Sequence, residues 1–157
     1  MNTSILNIPR ILCLAIFALL LVQCSKDDDP PPPKTPAELI LGSWSITGDN
    51  INPAYDIGTG TPISDLFPTY TACELDDIIT FKVNSEGEFS EGATKCNAAD
   101  PQSTPFLWTL TNNNTKLNIS ALAEFTIVQL DATTLKISDS FVDSGITYTE
   151  TLTYTKR

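Results

Sequence analysis

Residues 146–155 read ITYTETLTYT, and this stretch of the sequence decides the fold class. Every second residue from Ile146 onward is Ile, Tyr, Glu or Leu, whereas every residue between them is Thr. Strict alternation of this kind is typical of a β-strand with one buried face and one solvated face. We therefore predict a closing strand whose even-numbered residues face the interior.

Earlier segments of the chain have the same two-residue period, and short polar turns such as residues 112–114 (NNN) separate them. About eight short strands without a long helix predict an antiparallel β-barrel, with a β-sandwich as the alternative. Residues 85–87 (SEG) predict a hairpin turn with positive φ at Gly87. The other predicted strands cover residues 43–47, 77–84, a segment from Phe89, 106–111, 116–119, 124–130 and 135–137.

One short helix and one long loop complete the predicted elements. Residues 35–38 (TPAE) form a capping box with proline at the first helical position, so a short helix should run through Leu41 and end at Gly42. Residues 49–72 are rich in Gly, Pro, Asn and Asp and predict mostly loop, which either covers the barrel mouth, closes one end or moves freely. Residues 76–77 (DD) are interpreted as a turn that enters the next strand.

The N-terminus has the pattern of an export signal. Residues 11–22 (ILCLAIFALLLV) are apolar, follow Arg10 and are too short to span a bilayer, so they fit the core of a signal peptide. Residues 21–24 (LVQC) resemble the lipobox of bacterial lipoproteins, which implies cleavage before Cys24 and a diacylglycerol on its sulfur. We expect a signal peptide at 1–23, a lipidated Asp- and Pro-rich tether at 24–36, and one domain at 37–157.

The residues that follow Cys24 indicate the expected cellular location of the protein. Ser25 rather than Asp follows Cys24, and the lipoprotein resemblance then implies the outer membrane of a Gram-negative bacterium, with membrane lipid as the partner of Cys24. Residues 26–29 (KDDD) resemble the acidic tether of surface-exposed lipoproteins, although such a charge run also suits a solvated linker. Residues 30–33 are consecutive prolines and predict an extended spacer.

Composition narrows the range of functions. The net charge is −10, which disfavours nucleic acid and anionic membrane surfaces as partners. The sequence has no histidine, the commonest general base near neutral pH, so we expect neither enzymatic activity nor a cofactor or metal. Of the four cysteines, Cys13 leaves with the signal and Cys24 takes lipid, so Cys73 and Cys96 should form a disulfide in an oxidising compartment.

Several short motifs in order resemble the lipocalin-like domains of bacterial lipoproteins. They are residues 39–44 (LILGSW), 73–81 (CELDDIITF), 86–89 (EGEF), 108–110 (WTL) and 148–157 (YTETLTYTKR). The resemblance implies an up-and-down barrel of about eight strands. It also implies that Gly42 and Trp44 lie at the closed end beneath a basic residue of the last strand. Strand phase favours Lys156 for that role and residue type favours Arg157, and both remain candidates.

Two functions suit such a barrel. In the first, a monomeric, non-catalytic protein binds a small apolar or amphipathic ligand inside the barrel. In the second, a solid barrel displays its loops to a protein or glycan partner at the cell surface. Glu150 is the one acid in phase with the apolar face, where it would contact a ligand, Tyr148 or Lys156, or lie at the rim. The candidate ligand-lining residues are Phe81, Phe89, Trp108, Phe125, Tyr148 and Glu150.

Overall fold

The structure is a computed structural model, and it describes residues 30–120 and 122–157. The predicted signal peptide and Cys24 lie outside the described residues. Two short α-helices, α1 (Pro36–Ile40) and α2 (Ala72–Leu75), and two 3₁₀ turns, η1 (Phe67–Thr69) and η2 (Val83–Ser85), accompany nine strands. The strands are β1 (Gly42–Tyr55), β2 (Ile63–Asp65), β3 (Ile78–Phe81), β4 (Glu86–Ser90), β5 (Ser103–Thr111), β6 (Lys116–Ile119), β7 (Glu124–Leu130), β8 (Thr134–Asp143) and β9 (Ile146–Lys156).

The strands close into an antiparallel barrel. From β3 to β9 each strand pairs with the next, β3 also pairs with β1, and β1 pairs with β9. Eight strands therefore form the ring, while the short strand β2 pairs with the far end of β1. The predicted all-β, antiparallel barrel of about eight strands is confirmed, and closure through β1 and β9 excludes the sandwich.

The helix α1 begins as its sequence predicts but ends before the predicted Leu41, because Gly42 already begins β1. The Thr35 hydroxyl accepts a hydrogen bond from the Glu38 amide, and the Glu38 carboxylate accepts one from the Thr35 amide at 2.8 Å. This capping box satisfies amides at the helix start that have no partner within the helix. The helix ends at Ile40, whose side chain is fully buried against the barrel. Within the described residues, 30–120 and 122–157, no helix is long and apolar enough to span a bilayer.

The prediction of a loop from residue 49 is wrong for the first seven residues. β1 continues to Tyr55, because residues 49–52 pair with residues 149–152 of β9. The Asn and Pro content of this segment disfavours a strand locally, but pairing with the regular β9 strand overrides that preference. β2, η1 and α2 then lie within the segment from residue 63 to residue 75, so much of the predicted loop is ordered structure.

The predicted turn at residues 85–87 lies one residue earlier along the chain. Asn84 and Ser85 take the positive φ values, 60° and 63°, and Gly87 lies within β4 opposite Phe106. A β-carbon on Gly87 would overlap the Phe106 ring, so the glycine makes room for an aromatic side chain in the barrel core.

Gly87→Ala is therefore expected to lower the free energy of unfolding by about 1–3 kcal/mol, because the buried ring must move to admit the methyl group. The matched control is Gly48→Ala, whose β-carbon would meet Thr153 at an ordinary 3.5 Å and should change stability by no more than about 0.5 kcal/mol. Urea unfolding of both variants checks this, and equal stabilities would contradict the packing role of Gly87.

Candidate functional site

Trp44 and Lys156 close one end of the barrel. The Trp44 side chain is fully buried, and its indole Nε1 donates to the carbonyl of Ile40 at 2.8 Å. Lys156 pairs with Trp44 across β1 and β9, and its Nζ lies 4.8 Å from the centre of the Trp44 ring. The same Nζ donates to the Leu39 carbonyl at 2.8 Å. A β-carbon on Gly42 would approach the Lys156 side chain to 2.9 Å, so glycine leaves space for that lysine.

Arg157 does not cover the ring. Its backbone amide donates to the Ser43 carbonyl, and its guanidinium Nε donates to the Ser45 hydroxyl. Of the two basic candidates that the sequence left open, Lys156 therefore lies over Trp44. A cation above an indole face is attracted by the ring quadrupole, and here the same cation also ties the last strand to α1.

The half of the barrel next to Trp44 is filled by side chains. Phe81 contacts both Phe106 and Trp108 edge to face, with ring centres 5.7 and 5.6 Å apart. The Trp108 Nε1 donates to the Glu86 carbonyl at 2.8 Å. The core members are Ile40, Trp44, Ile79, Phe81, Phe106, Trp108, Leu117, Ile119, Leu135 and Ile137, against which Phe89, Phe125 and Tyr154 pack.

A cavity of about 280 Å³ lies on the other side of this core. Its barrel wall includes Ile46 of β1, Ile79 of β3, Phe89 of β4 and Tyr154 of β9. The opposite wall belongs to residues 63–77, which contain β2, η1 and α2 and which we call the strap. The strap contributes Tyr70, Glu74 and Asp77 to the cavity, and Ile78, Ser90 and Glu91 complete the lining.

The strap is held to the barrel at several points. Its Leu66 amide donates to the Asp49 carbonyl at 2.9 Å, and its Cys73 forms a disulfide with Cys96 in the loop between β4 and β5. Near the end of the strap, the Asp76 carboxylate accepts hydrogen bonds from the amides of Ala93 and Thr94, both at 2.9 Å. The cavity wall that the strap provides is thus fixed both to β1 and to the β4–β5 loop.

A β-bulge turns Asp49 toward the interior. β1 pairs Ile46 with Tyr154, and after an irregularity between residues 46 and 48 it pairs Asp49 with Leu152. The extra residue switches the inward face of β1 from even to odd positions. As a result Asp49 is only 2% exposed, and Ile51 lies opposite Glu150.

The buried Asp49 and the half-buried Tyr70 and Glu150 form a polar cluster behind the cavity wall. The Tyr70 hydroxyl donates to Asp49 Oδ2 at 3.0 Å, whereas Asp49 Oδ1 accepts no hydrogen bond from an N–H or O–H donor of the described residues. Burial raises the pKa of both Asp49 and Glu150, and the negative charge of Asp49 raises that of Glu150 further. Both shifts favour the protonated form of each carboxyl relative to an exposed acid.

Asp77 is a second perturbed acid, and it lies on the cavity wall itself. Burial, followed by the charges of Glu91, Asp76 and Glu74, raises its pKa to about 6. Its Oδ1 is buried and receives no hydrogen bond from the described residues. At neutral pH the group is still mostly ionised, and a cationic donor beside it would lower its pKa again.

Comparison with known protein families agrees with this architecture. A family model described as a lipocalin-like domain matches residues 40–137, which is more than half of the chain. This chain belongs to the lipocalin-like domain family. Among solved structures, a complex of bovine odorant binding protein with a selenium-containing odorant matches at 15% identity and a TM-score of 0.40, covering 82% of this chain and 76% of that one. No curated protein matches the chain.

The predicted ligand-lining residues lie in four different places in the lipocalin-like domain. Phe89 lines the cavity, whereas Phe81 and Trp108 belong to the packed core and Phe125 packs against it. Tyr148 lies near the start of β9, at the end of the strand away from Lys156. Its ring stacks on Phe141 at 5.4 Å and meets Tyr55 edge to face at 4.9 Å. Glu150 lies beside Asp49, while the Lys156 ammonium is engaged at the closed end.

Sequence reasoning missed Asp49, Tyr70, Glu74 and Asp77 as members of this lipocalin-like site. Asp49 falls in a predicted loop, and a regular alternation from Trp44 would not place it inside. Gly48 is the available signal, since a glycine within a strand pattern often marks a bulge. The other three lie on the strap, and their approach to the cavity depends on how that segment folds back over the barrel.

Removal of the Cys73–Cys96 disulfide should strongly destabilise this lipocalin-like domain. The bond closes a loop with a sequence separation of 23 residues, for which the chain-entropy model predicts a loss of about 3.5 kcal/mol. The double variant Cys73→Ser with Cys96→Ser tests this by urea unfolding against the oxidised wild type. Alkylation of the unfolded, unreduced wild type should find neither thiol free, and a stability loss below about 1 kcal/mol would contradict the anchoring role.

Proposed function

We propose that this protein is a lipid-anchored, non-catalytic binding protein of a Gram-negative outer membrane, and that it acts as a monomer. Its lipocalin-like domain holds a small apolar or amphipathic molecule in the cavity beneath the strap. Cys24 carries the acyl chains. The proline-rich tether from Cys24 to α1 lets the domain lie on the order of 30 Å from the lipid.

The cavity between the barrel and the strap is the observation that carries the proposal. Its volume of about 280 Å³ is near the lower end of the range for small-molecule sites, roughly 300–1,000 Å³. Ile46, Ile79 and Phe89 give it apolar walls, and the Tyr154 ring adds an aromatic surface. Apolar walls with a few polar groups are typical of ligand sites, and the volume favours a small molecule over a long lipid.

Three features support the membrane anchor. The apolar run at residues 11–22 follows a positive charge, the LVQC sequence ends at Cys24, and the segment after it is polar and rich in proline. Burial of acyl chains contributes about 0.8 kcal/mol per CH₂ group, and stable attachment needs more than one chain. A diacylglycerol on Cys24 would meet this requirement, so the domain itself need not bind the bilayer.

Calorimetric titration of the purified mature domain, residues 25–157 and therefore free of lipid, with octanol tests the binding function. Octanol has an apolar chain and no charge, and we expect one molecule to bind per protein. Ile46→Trp should fill the cavity and abolish binding, whereas Val128→Trp should leave it unchanged, because Val128 is 58% exposed on β7. Ser90→Phe fills the cavity from β4 and replaces Ile46→Trp if that variant does not fold.

Absence of octanol binding to the folded wild type would contradict the proposal, as would equal binding by wild type and both cavity-filling variants. The domain would then act as a solid barrel that displays loops to a protein or glycan partner. In that case the strap and the β4–β5 loop would form the contact surface.

A further inference from the structure

We propose that the ligand of this cavity is a small organic ammonium, with an apolar body between the barrel and the strap and its cationic head beside Asp77. The inference rests on the proposed binding function and specifies the chemistry of the ligand. It is carried by the charges around the cavity and by a carboxylate on the cavity wall that lacks a donor.

All of the charged residues that line the cavity are acidic. Glu74, Asp77 and Glu91 line it, and none of the described residues that line it is basic. Lys82 pairs with Glu88 at 2.8 Å and Lys95 donates to the Ala98 carbonyl at 3.0 Å, so both are engaged outside the cavity. A cleft lined by one sign of charge concentrates ligands of the opposite sign, so the head group of an anionic amphiphile is disfavoured here.

Asp77 supplies the position for the cation. It belongs to the cavity wall and is only partly buried, and its carboxylate accepts no hydrogen bond from the described residues. The carboxylate thus offers a free acceptor at the wall, to which an N–H group of a bound ammonium can donate. Charge-assisted hydrogen bonds of this type are also among the stronger ones in proteins.

The polar cluster behind the wall adds two further carboxyl groups close to the cavity. Asp49 is only 2% exposed, one of its oxygens has no donor among the described residues, and the other accepts from Tyr70, which lines the cavity. Tyr70 therefore links the cavity wall to the Asp49–Glu150 pair, and any negative charge on that pair strengthens the attraction for a cation in the cavity.

The apolar part of the site distinguishes an organic cation from a bare ion. Ile46, Ile79 and Phe89 offer surface that only a hydrocarbon body can cover. The aromatic rings of Phe89, Tyr70 and Tyr154 are also suitable neighbours for an ammonium, since cations bind favourably over ring faces. The cavity thus combines apolar walls with an anionic end.

Three probes with the same chain and different heads test this inference: octylammonium, octanol and octanoate, each titrated into the wild-type mature domain, residues 25–157, near neutral pH. We expect octylammonium to bind about tenfold or more tightly than octanol, which is the effect of one charge-assisted hydrogen bond, and octanoate to bind most weakly. Asp77→Asn should remove most of the preference for octylammonium over octanol. The control Glu124→Gln removes one exposed charge on β7 and should preserve the preference.

The outcomes separate the two proposals. If octanol binds but octylammonium binds no more tightly, or if octanoate binds best, the ammonium inference is overturned while the binding function stands. The ammonium inference is also overturned if Asp77→Asn and Glu124→Gln lower the preference equally, because the effect would then come only from net charge. If none of the three probes binds, the binding function itself fails.

Discussion

Trp44→Ala is expected to lower the free energy of unfolding by about 3–5 kcal/mol, the range for truncating a large aromatic side chain in a core. The ring is fully buried, its Nε1 donates to Ile40, and Lys156 lies above it. Its loss therefore removes packing, a hydrogen bond and a cation–ring contact at the closed end of the barrel. Urea unfolding of the purified domain measures the change.

Two further variants show which of these contributions is lost. Trp44→Phe keeps an aromatic ring but leaves the Ile40 carbonyl without its donor, so its loss should be smaller, about 1–3 kcal/mol. Val128→Ala removes apolar atoms from an exposed position and should stay within about 0.5 kcal/mol of wild type. A loss below about 1 kcal/mol for Trp44→Ala would mean that the closed end does not depend on this residue.

Cys24→Ala is expected to abolish lipid attachment completely. The proposed thioether would form on the cysteine sulfur, and alanine offers no group for it, so labelled palmitate should enter the wild type and be absent from the variant. The variant should also move from the membrane fraction to the soluble fraction after cell lysis. The readout is radiolabel in the immunoprecipitated protein, together with its distribution between the fractions.

Cys13→Ala is the matched control for this experiment. Cys13 lies in the apolar run, and no apolar stretch precedes it, so it should play no part in attachment. Labelling should therefore match wild type. Equal labelling of the Cys24→Ala protein would show that the anchor lies elsewhere or is absent.

Alternation is sufficient to predict the barrel and the direction of most side chains of β9. In β9 the even residues face inward from Tyr148 to Lys156, as residues 146–155 predict, and this phase places Lys156 over Trp44. Residue type alone favours Arg157, because arginine also stacks on aromatic rings. Strand geometry decides which of the two residues lies over Trp44, since Arg157 follows Lys156 and points to the other side of the sheet.

The site is harder to predict because it depends on an irregularity and on a distant segment. The bulge at residues 47–48 reverses the inward face of β1, so a count of alternate residues from Trp44 misplaces Asp49. The sequence predicts a turn at residues 76–77. In the structure the Asp76 carboxylate accepts hydrogen bonds from the amides of Ala93 and Thr94. The position of Asp77 on the cavity wall follows from the fold of the strap, which local sequence patterns do not specify.

We expect an apolar ligand to lie between the barrel and the strap, and intermolecular NOEs measure this most directly. With octanol bound to methyl-labelled protein, its chain protons should show NOEs to the methyl groups of Ile46 and Ile79, which line the cavity. Ile119 and Leu117 lie in the packed half and should show none. NOEs confined to exposed Val142 and Ile146 at the β8–β9 hairpin, or to the packed half, would contradict a ligand site in this cavity.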